Sequence, residues 1–470
     1  MIIKLLINWK KWLLIIGILF FIVLKLTDLT LPCLWDEAWS YYPVIHKMAL
    51  TQPTLFPNDT IIPELYRGHP LLFYFLSSLW MKVFGLELWI AKLFALFIAI
   101  SYLISLYVFA SNFFNQTVAL ISVILVSAQS VFFVQSSLLL PEIMLALFTL
   151  WTLYFYLEKK PLLTALFLIL ALYTKESAVV LWVTVFFFEV IKVTKTNELS
   201  LFKKAAQLYL WFIPLIVIFL FYYIQYSKSG WFFFPEHINF ISLSGFTDKL
   251  IGYLSYLFIY HGRNILTFSA LIATIILLYR RSQFKNIIKN EITLISVFIF
   301  LYLIFSSLNF YSPRYILSIL PLTIVIFVFV LYSSSLAKII KALIFTLIII
   351  NTIYSTAYKG NNNDHTLGSR DLISVHQQAI SFCENKSLQN NTIYAPFLIS
   401  NYLTKPELGY LKKKKPFTSV SNQWNNKIQF ALISCVELDD TLHNYLKVNH
   451  KLLKRFDKKK SWVEMYEITN

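Results

Sequence analysis

The chain has 470 residues, 58% hydrophobic and only 14% charged, with a formal net charge of +17. Soluble domains carry about 25% charged residues, so an ordinary soluble enzyme is excluded. The basic excess is read as membrane topology and lipid head-group contact rather than nucleic-acid binding.

Apolar runs approaching the roughly 20 residues that a membrane helix needs recur along most of the chain. They are too long and continuous for barrel strands, so the fold class is a polytopic α-helical membrane protein. The first run, 12–29, follows Lys10 and Lys11. It is longer than a signal-peptide core and lacks a small-residue cleavage site, which makes it a retained anchor. A long loop, 30–86, comes next. It carries the stretch LWDEAWSYY at 34–42, then Pro53, Pro57 and Pro63, then RGHPLLFYFLSSLWMKVFG. That last piece is apolar but short and interrupted by Lys82, as expected of a helix lying in the membrane interface. Further spans are expected at 88–110, 117–134, 143–157, 162–174, 177–191, 207–225, 264–279, 291–308, 315–335 and 341–358, about eleven in all. The piece 249–260 is a second interfacial candidate, and counting it as a span would reverse the parity.

Lysine and arginine set the orientation. With the N-terminus in the cytoplasm, the inner segments hold Lys4, Lys10, Lys11, Lys159, Lys160, Lys192, Lys195, Lys203, Lys204, Arg280, Arg281, Lys285, Lys289, Lys338 and Lys341. The outer segments hold fewer, namely Lys47, Arg67, Lys82, Lys175, Lys228, Lys249, Arg263 and Arg314. This arrangement collects Asp36, Glu37, His69, Glu142, Lys175 and Arg314 on the outer side.

Beyond 358 the composition changes. KGNNNDHTLGSR reads as a linker. NTIYAPFLIS, NKIQFALISC and WVEMYEI read as strands, while RDLISVHQQAISFCEN and DDTLHNYLKVNH have helical spacing. Residues 359–470 are therefore expected to form a small C-terminal extracytoplasmic α/β domain, after a transmembrane domain at 1–358. The run Lys412, Lys413, Lys414 and Lys415 reads as a solvated loop. Cys33, Cys383 and Cys435 show no metal-ligand spacing and no disulfide framework; a Cys383–Cys435 bridge is allowed but not demanded.

Ionisable groups near or within a membrane point to function, yet each has a plainer reading. Asp36 and Glu37 could be acids at a helix start. Alternatively they supply a carboxylate base, or an acidic pair for a metal, in a site walled by aromatic rings. His69, before Pro70, could cap a helix or line the site. Glu142 opens a span on the outer side. Lys175 lies in a tight outer turn, either snorkelling or holding a phosphate. Arg314 opens a late helix, where a cation opposes the dipole, and this favours an anionic ligand.

Taken in order, an acidic pair after the first span, HP opening an interfacial helix, an acid after the third span, TK after the fifth and RY…P near a late span resemble the GT-C glycosyltransferases. More closely they resemble the bacterial dolichyl-phosphate-mannose–protein mannosyltransferase-like group, which includes the lipid A aminoarabinose transferases. The resemblance covers roughly residues 10–335. It implies transfer, with inversion, of a sugar from a polyprenyl-phosphate donor to a lipid, glycan or protein acceptor at the outer face of a bacterial inner membrane. It further implies Asp36 as the catalytic residue, with Glu37 completing the motif. His69, Glu142, Lys175 and Arg314 then bind substrate and phosphate. No cofactor is required, although Asp36 and Glu142 offer oxygen ligands suited to Mg or Mn. The chain departs from the group's pattern at Leu71, where HPP or KPP is usual, at Glu142, often Asp, and at Lys92, commonly Arg. Two rival classes are a lipid-sugar transporter and a non-catalytic membrane assembly protein. Transporters concentrate polar groups near the bilayer midplane in paired halves, whereas here they lie at the outer ends of spans and no halves repeat.

Overall fold

The computed structural model describes residues 9–195, 208–279, 289–358, 360 and 362–469. Of the charges used to orient the chain, Lys4, Lys203, Lys204, Arg280, Arg281 and Lys285 lie outside the described residues.

Among the described residues six helices are long and apolar enough to cross a membrane: Lys10–Thr30, Leu88–Phe113, Glu176–Thr194, Tyr209–Ser229, Asn290–Leu308 and Lys338–Ala357. The chain is an integral membrane protein. Four shorter apolar helices, Gln116–Ala128, Glu142–Leu157, Pro161–Thr174 and Leu320–Ser333, lie within or over the other runs expected to span. The outward faces carry Phe20, Phe268, Ile275 and Leu343, all largely exposed. Such continuous apolar surface calls for a lipid environment rather than water.

Departures from simple spans have local causes. The run expected at 117–134 is broken, because Gln129 adopts an extended backbone (φ −66°, ψ 130°) between Gln116–Ala128 and Ser130–Gln135. The Gln129 side chain is held at that break by the buried Arg263, whose Nη1 donates to Oε1 at 2.6 Å. The helix Phe246–Phe258, covering most of the second interfacial candidate, meets Arg263–Tyr279 at 83°. It therefore runs crosswise to the helix that follows instead of extending it. Leu72–Phe84, on the expected interfacial segment, has 13 residues, too few to cross at about 1.5 Å per residue.

The C-terminal part holds a five-stranded sheet: β1 (Thr392–Tyr394), β2 (Ser419–Ser421), β3 (Phe430–Ser434), β4 (Lys451–Lys458) and β5 (Ser461–Glu467). The order is β2-β1-β3-β5-β4, with β1 parallel to β2 and β3, and β5 antiparallel to β3 and β4. The expected helices form as Gly368–Asn385 and Asp440–Asn449. The expected strand NTIYAPFLIS is only half a strand: after Pro396 the chain turns into the helix Phe397–Thr404. Pro suits the start of a helix and cannot donate to a sheet. Lys412, Lys413, Lys414 and Lys415 are exposed as expected, although the backbone N–H groups of Lys412 and Lys413 bind the buried Glu384 carboxylate. The Cys383–Cys435 bridge is not formed; all three cysteines are free thiols.

This α/β part is not a tethered appendage. Its core is continuous with that of the helical bundle, and it rests on the 30–86 loop. Cys33 N donates to Leu408 O at 3.0 Å, Trp35 Nε1 to Asn362 O at 3.2 Å, and Arg370 to Asp28 at 2.8 Å. The segment read as a linker is thereby packed against the stretch that carries Asp36.

Candidate functional site

The chain passes Asp36 in a constrained conformation. Trp35 has φ +50°, and the residues after Asp36 form a π-helical turn, Glu37–Tyr41. Left-handed backbone at a bulky residue costs on the order of 1–3 kcal/mol and clusters at functional sites, as do π turns. Here the two together separate the acidic neighbours. Asp36 lines a cavity of about 260 Å³. Glu37 turns away from it and is fully buried.

Arg314 is the hub of the cavity wall. It opens the turn Pro313–Ser318, and its guanidinium binds three carboxylates. Nη2 pairs with Asp36, Nη1 with Asp364, and Nε with Glu142 Oε1 at 3.1 Å. Lys175, in the turn between Pro161–Thr174 and Glu176–Thr194, reaches the same Glu142 oxygen at 2.9 Å. Its ammonium also sits 4.0 Å from the centre of the Tyr315 ring. Burial alone would raise the Asp36 and Asp364 carboxyls, but Arg314, together with Trp39 at Asp36 and His365 at Asp364, holds both below the usual carboxylate range. The same three partners, acting against burial, push the Arg314 guanidinium further up.

Trp39 and Arg67 form the aromatic rim. Trp39 Nε1 donates to Asp36 Oδ1 at 2.9 Å, and the Arg67 guanidinium stacks 3.6 Å from the indole centre. Arg67 (φ +53°) and Gly68 (φ +69°) are consecutive left-handed residues that swing His69 into the cavity. A Cβ on Gly68 would meet the Trp231 ring at 2.9 Å, so only glycine fits. His69 Nδ1 lies 3.1 Å from Glu176 Oε1. The His237 ring stands with its centroid 4.8 Å from that of His69. Burial, with His69 alongside, pulls the His237 imidazole down to about 4, so it is neutral near pH 7.

Of the residues singled out in the sequence, Asp36, His69, Lys175 and Arg314 line one cavity, and Glu142 stands behind it as the shared partner of Lys175 and Arg314. Glu37, expected to complete the catalytic motif, faces away from the cavity into the interior. It accepts from Leu34 N at 3.1 Å, Leu139 N at 3.0 Å and Lys92 Nζ at 3.2 Å, all buried. Every oxygen is engaged and none reaches the cavity. Between Asp36 and Glu142, where a divalent ion was considered, the Arg314 guanidinium already spans the two carboxylates. Sequence reading missed Asp364, Glu176 and His237. Asp364 lies in a stretch whose glycine and asparagine content signals a linker, yet it is buried; its carboxylate accepts from Arg314 Nη1 and its carbonyl accepts from Gln135 Nε2 at 2.7 Å. Glu176 was visible as the acid directly after Lys175, and His237 followed only a proline and an acid in the 230–240 loop.

Residues 68–223 match the family model described as dolichyl-phosphate-mannose-protein mannosyltransferase. No curated protein matches the sequence. The fold is similar to that of ArnT from Cupriavidus metallidurans bound to undecaprenyl phosphate, with TM-score 0.59 at 12% identity over 96% of this chain and 97% of that one. It is also similar to the oligosaccharyltransferase AglB from Archaeoglobus fulgidus in complex with an inhibitory peptide and a dolichol-phosphate, with TM-score 0.50 at 11% identity over 90% of this chain and 69% of that one. A structure of the Archaeoglobus fulgidus oligosaccharyltransferase in complex with zinc and sulfate gives TM-score 0.52 at 11% identity, over 89% and 67%. The resemblance expected from the sequence is matched by the family model over residues 68–223, and the fold is similar to that of these solved structures. The family match includes His69, Glu142, Lys175 and Glu176, and the shared fold extends over nearly the whole chain.

Proposed function

We propose that the chain is a membrane glycosyltransferase that moves a sugar from a polyprenyl-phosphate donor to an acceptor hydroxyl or amine at the outer face of the membrane. The observation that carries this reading is the Asp36–Arg314–Glu142–Lys175 constellation at the wall of an accessible cavity, in a fold shared with enzymes captured with polyprenyl phosphates. A cavity of about 260 Å³ is just below the roughly 300–1,000 Å³ of small-molecule sites. It suits one sugar ring better than an oligosaccharide.

The reaction follows from what each side chain does. Lipid phosphate is already a good leaving group, so no strong general acid is needed. Arg314 and Lys175 stabilise the charge that gathers on it as the bond from the anomeric carbon to the phosphate oxygen breaks. The acceptor oxygen or nitrogen bonds to the same carbon from the opposite face, and its proton passes to Asp36. Before donor arrives, Arg314 holds Asp36 and keeps it a weak base. A phosphate that accepts the Arg314 Nη2 hydrogen bond in place of Asp36 releases the carboxylate, and its basicity rises just when a base is needed. Donor binding and base activation are thereby coupled. No metal between Asp36 and Glu142 is needed, because a guanidinium occupies that place.

The lysine and arginine distribution supports an N-terminus in the cytoplasm; in that orientation the site faces outward, where an acceptor in the cell envelope is reached. The test is mass spectrometry of outer glycoconjugates from cells with and without the protein, combined with Asp36→Asn. The variant is expected to express normally and to lose transfer by about 10²–10⁴-fold. Unchanged transfer overturns the reading, and loss of lipid-sugar flux across the membrane in its place indicates a transporter.

A further inference from the structure

Around the cavity, carboxylates outnumber the permanent cations. Arg314, Lys175 and Arg67 supply three permanent cations, while Asp36, Glu142, Asp364, Glu176 and Glu236 supply five carboxylates in contact with them or beside them. Arg314 and Lys175 are already neutralised by Asp36, Asp364 and Glu142. A phosphate entering this wall meets net negative charge unless a further cation is present.

The wall contains a place for one. His69, Glu176 and His237 come from three separate segments: the turn before Leu72–Phe84, the start of Glu176–Thr194 and the short helix Pro235–Asn239. Each offers a ligand atom, and these atoms lie within 4.8 Å of one another. All three side chains line the cavity. The His237 imidazole has no hydrogen-bond partner among the described residues, although its ring is aimed at His69. A simple His69–Glu176 ion pair leaves that third group unexplained.

We propose that His69, Glu176 and His237 form a binding site for a divalent transition metal of the zinc class, with its remaining coordination position open to the cavity. Two imidazoles and one carboxylate with one open position are a common donor set for zinc. Bonds of about 2.0–2.1 Å place tetrahedral ligand atoms about 3.4 Å apart, so drawing in atoms now within 4.8 Å takes side-chain movements of about 1.5 Å or less. The ion ties the 230–240 loop to the wall that holds Lys175 and offsets two of the surplus carboxylate charges. Its open position takes an oxygen of the donor phosphate. This last role rests on the glycosyl-transfer reading; the ion site itself rests on the ligand geometry.

The experiment uses the full chain in nanodiscs, stripped of metal by chelation and titrated with Zn²⁺ and with Co²⁺. One zinc per chain is expected by elemental analysis, with visible cobalt bands of low coordination number. Loss of one ligand should weaken zinc by at least about the 10–100-fold that even outer-shell changes produce. His237→Ala and Glu176→Gln are each expected to show it, and His237→Cys, which restores a zinc ligand, should recover much of the affinity. Equal zinc binding by the parent chain and by His237→Ala, or none by either, overturns the site. Polyprenyl phosphate binding measured with and without zinc tests the open position. Unchanged phosphate affinity overturns that role. Failure of zinc binding, with transfer still abolished by Asp36→Asn, removes this inference and leaves the glycosyltransferase reading intact.

Discussion

Two ion-pair regions, built from adjacent residues, sit side by side in this molecule. The Glu37–Lys92 pair is sealed: both side chains are fully buried, and backbone N–H groups from Leu34 and Leu139 complete the carboxylate. The Asp36–Arg314 pair is half open, with Asp36 about 31% exposed to the cavity and Arg314 shared among three acids. The first has one arrangement available to it. The second has several, because a guanidinium with three partners can exchange one of them for a ligand at modest cost. On the proposed function, access and competition among partners, rather than the presence of a buried charge, distinguish the pair that works from the one that holds the fold.

Parallel substitutions break or sharpen this contrast. Asp36→Asn is expected to remove transfer while leaving folded yield unchanged. Glu37→Gln is expected to do the reverse. It leaves Lys92 charged and uncompensated in the interior, a loss of about 3–5 kcal/mol, seen as reduced folded yield by fluorescence-detected size exclusion. The molecules that do fold should retain most of their specific activity. Adding Lys92→Met to Glu37→Gln should restore much of the yield, since the uncompensated interior charge is then gone. Loss of activity per folded molecule in that double variant would show that Glu37 takes part in the chemistry after all.

Asp364→Asn gives a smaller and different effect. Arg314 keeps Asp36 and Glu142 but loses a competitor, so it holds Asp36 more tightly and frees it less readily. A fall in kcat of about tenfold (about 1.4 kcal/mol) is expected, with donor KM little changed. The same substitution alters acid stability. A carboxyl held below its ordinary value stabilises the fold at pH above that of the unfolded chain, about 3.9. That stability is lost as pH falls through the lower folded-state value. Asp36 and Asp364 both behave this way. Thermal unfolding followed from pH 7 down to pH 3 should therefore steepen below about pH 4 for the parent chain, and less so for Asp364→Asn. An identical acid limb in the two would show that Asp364 is not ionised in the folded protein.

Reading the sequence found the parts of this contrast that depend on spacing and missed those that depend on tertiary exchange. Apolar length marked the runs in which six helices long enough to cross a membrane are found among the described residues, and the side-of-membrane argument grouped Asp36, His69, Lys175 and Arg314, which line one cavity. The break at Gln129 stayed hidden, because its cause is Arg263, 134 residues away. The roles of Asp36 and Glu37 could not be separated, because a left-handed Trp35 and a π turn decide which of them faces the cavity, and neither leaves a composition signal. Asp364 was obscured by its setting. Glycine and asparagine mark loops, and a loop packed into a site looks the same in sequence as one in solvent.

Trp39 carries the smallest effect and the finest test of the open pair. Its indole N–H donates to Asp36 Oδ1 at 2.9 Å, while its ring supports Arg67 at 3.6 Å and meets Phe397 edge-on at 5.4 Å. Trp39→Phe keeps an aromatic ring for both contacts and deletes only the donor. A typical hydrogen bond contributes about 0.5–1.5 kcal/mol net, so kcat/KM should fall by about two- to tenfold. The direction reports on the mechanism. The bond favours the ionised carboxylate, so its loss raises the Asp36 pKa, and the acid limb of the rate profile should move to higher pH. A fall in rate with no movement of that limb would mean that the indole positions the acceptor and leaves the basicity of Asp36 to Arg314 alone.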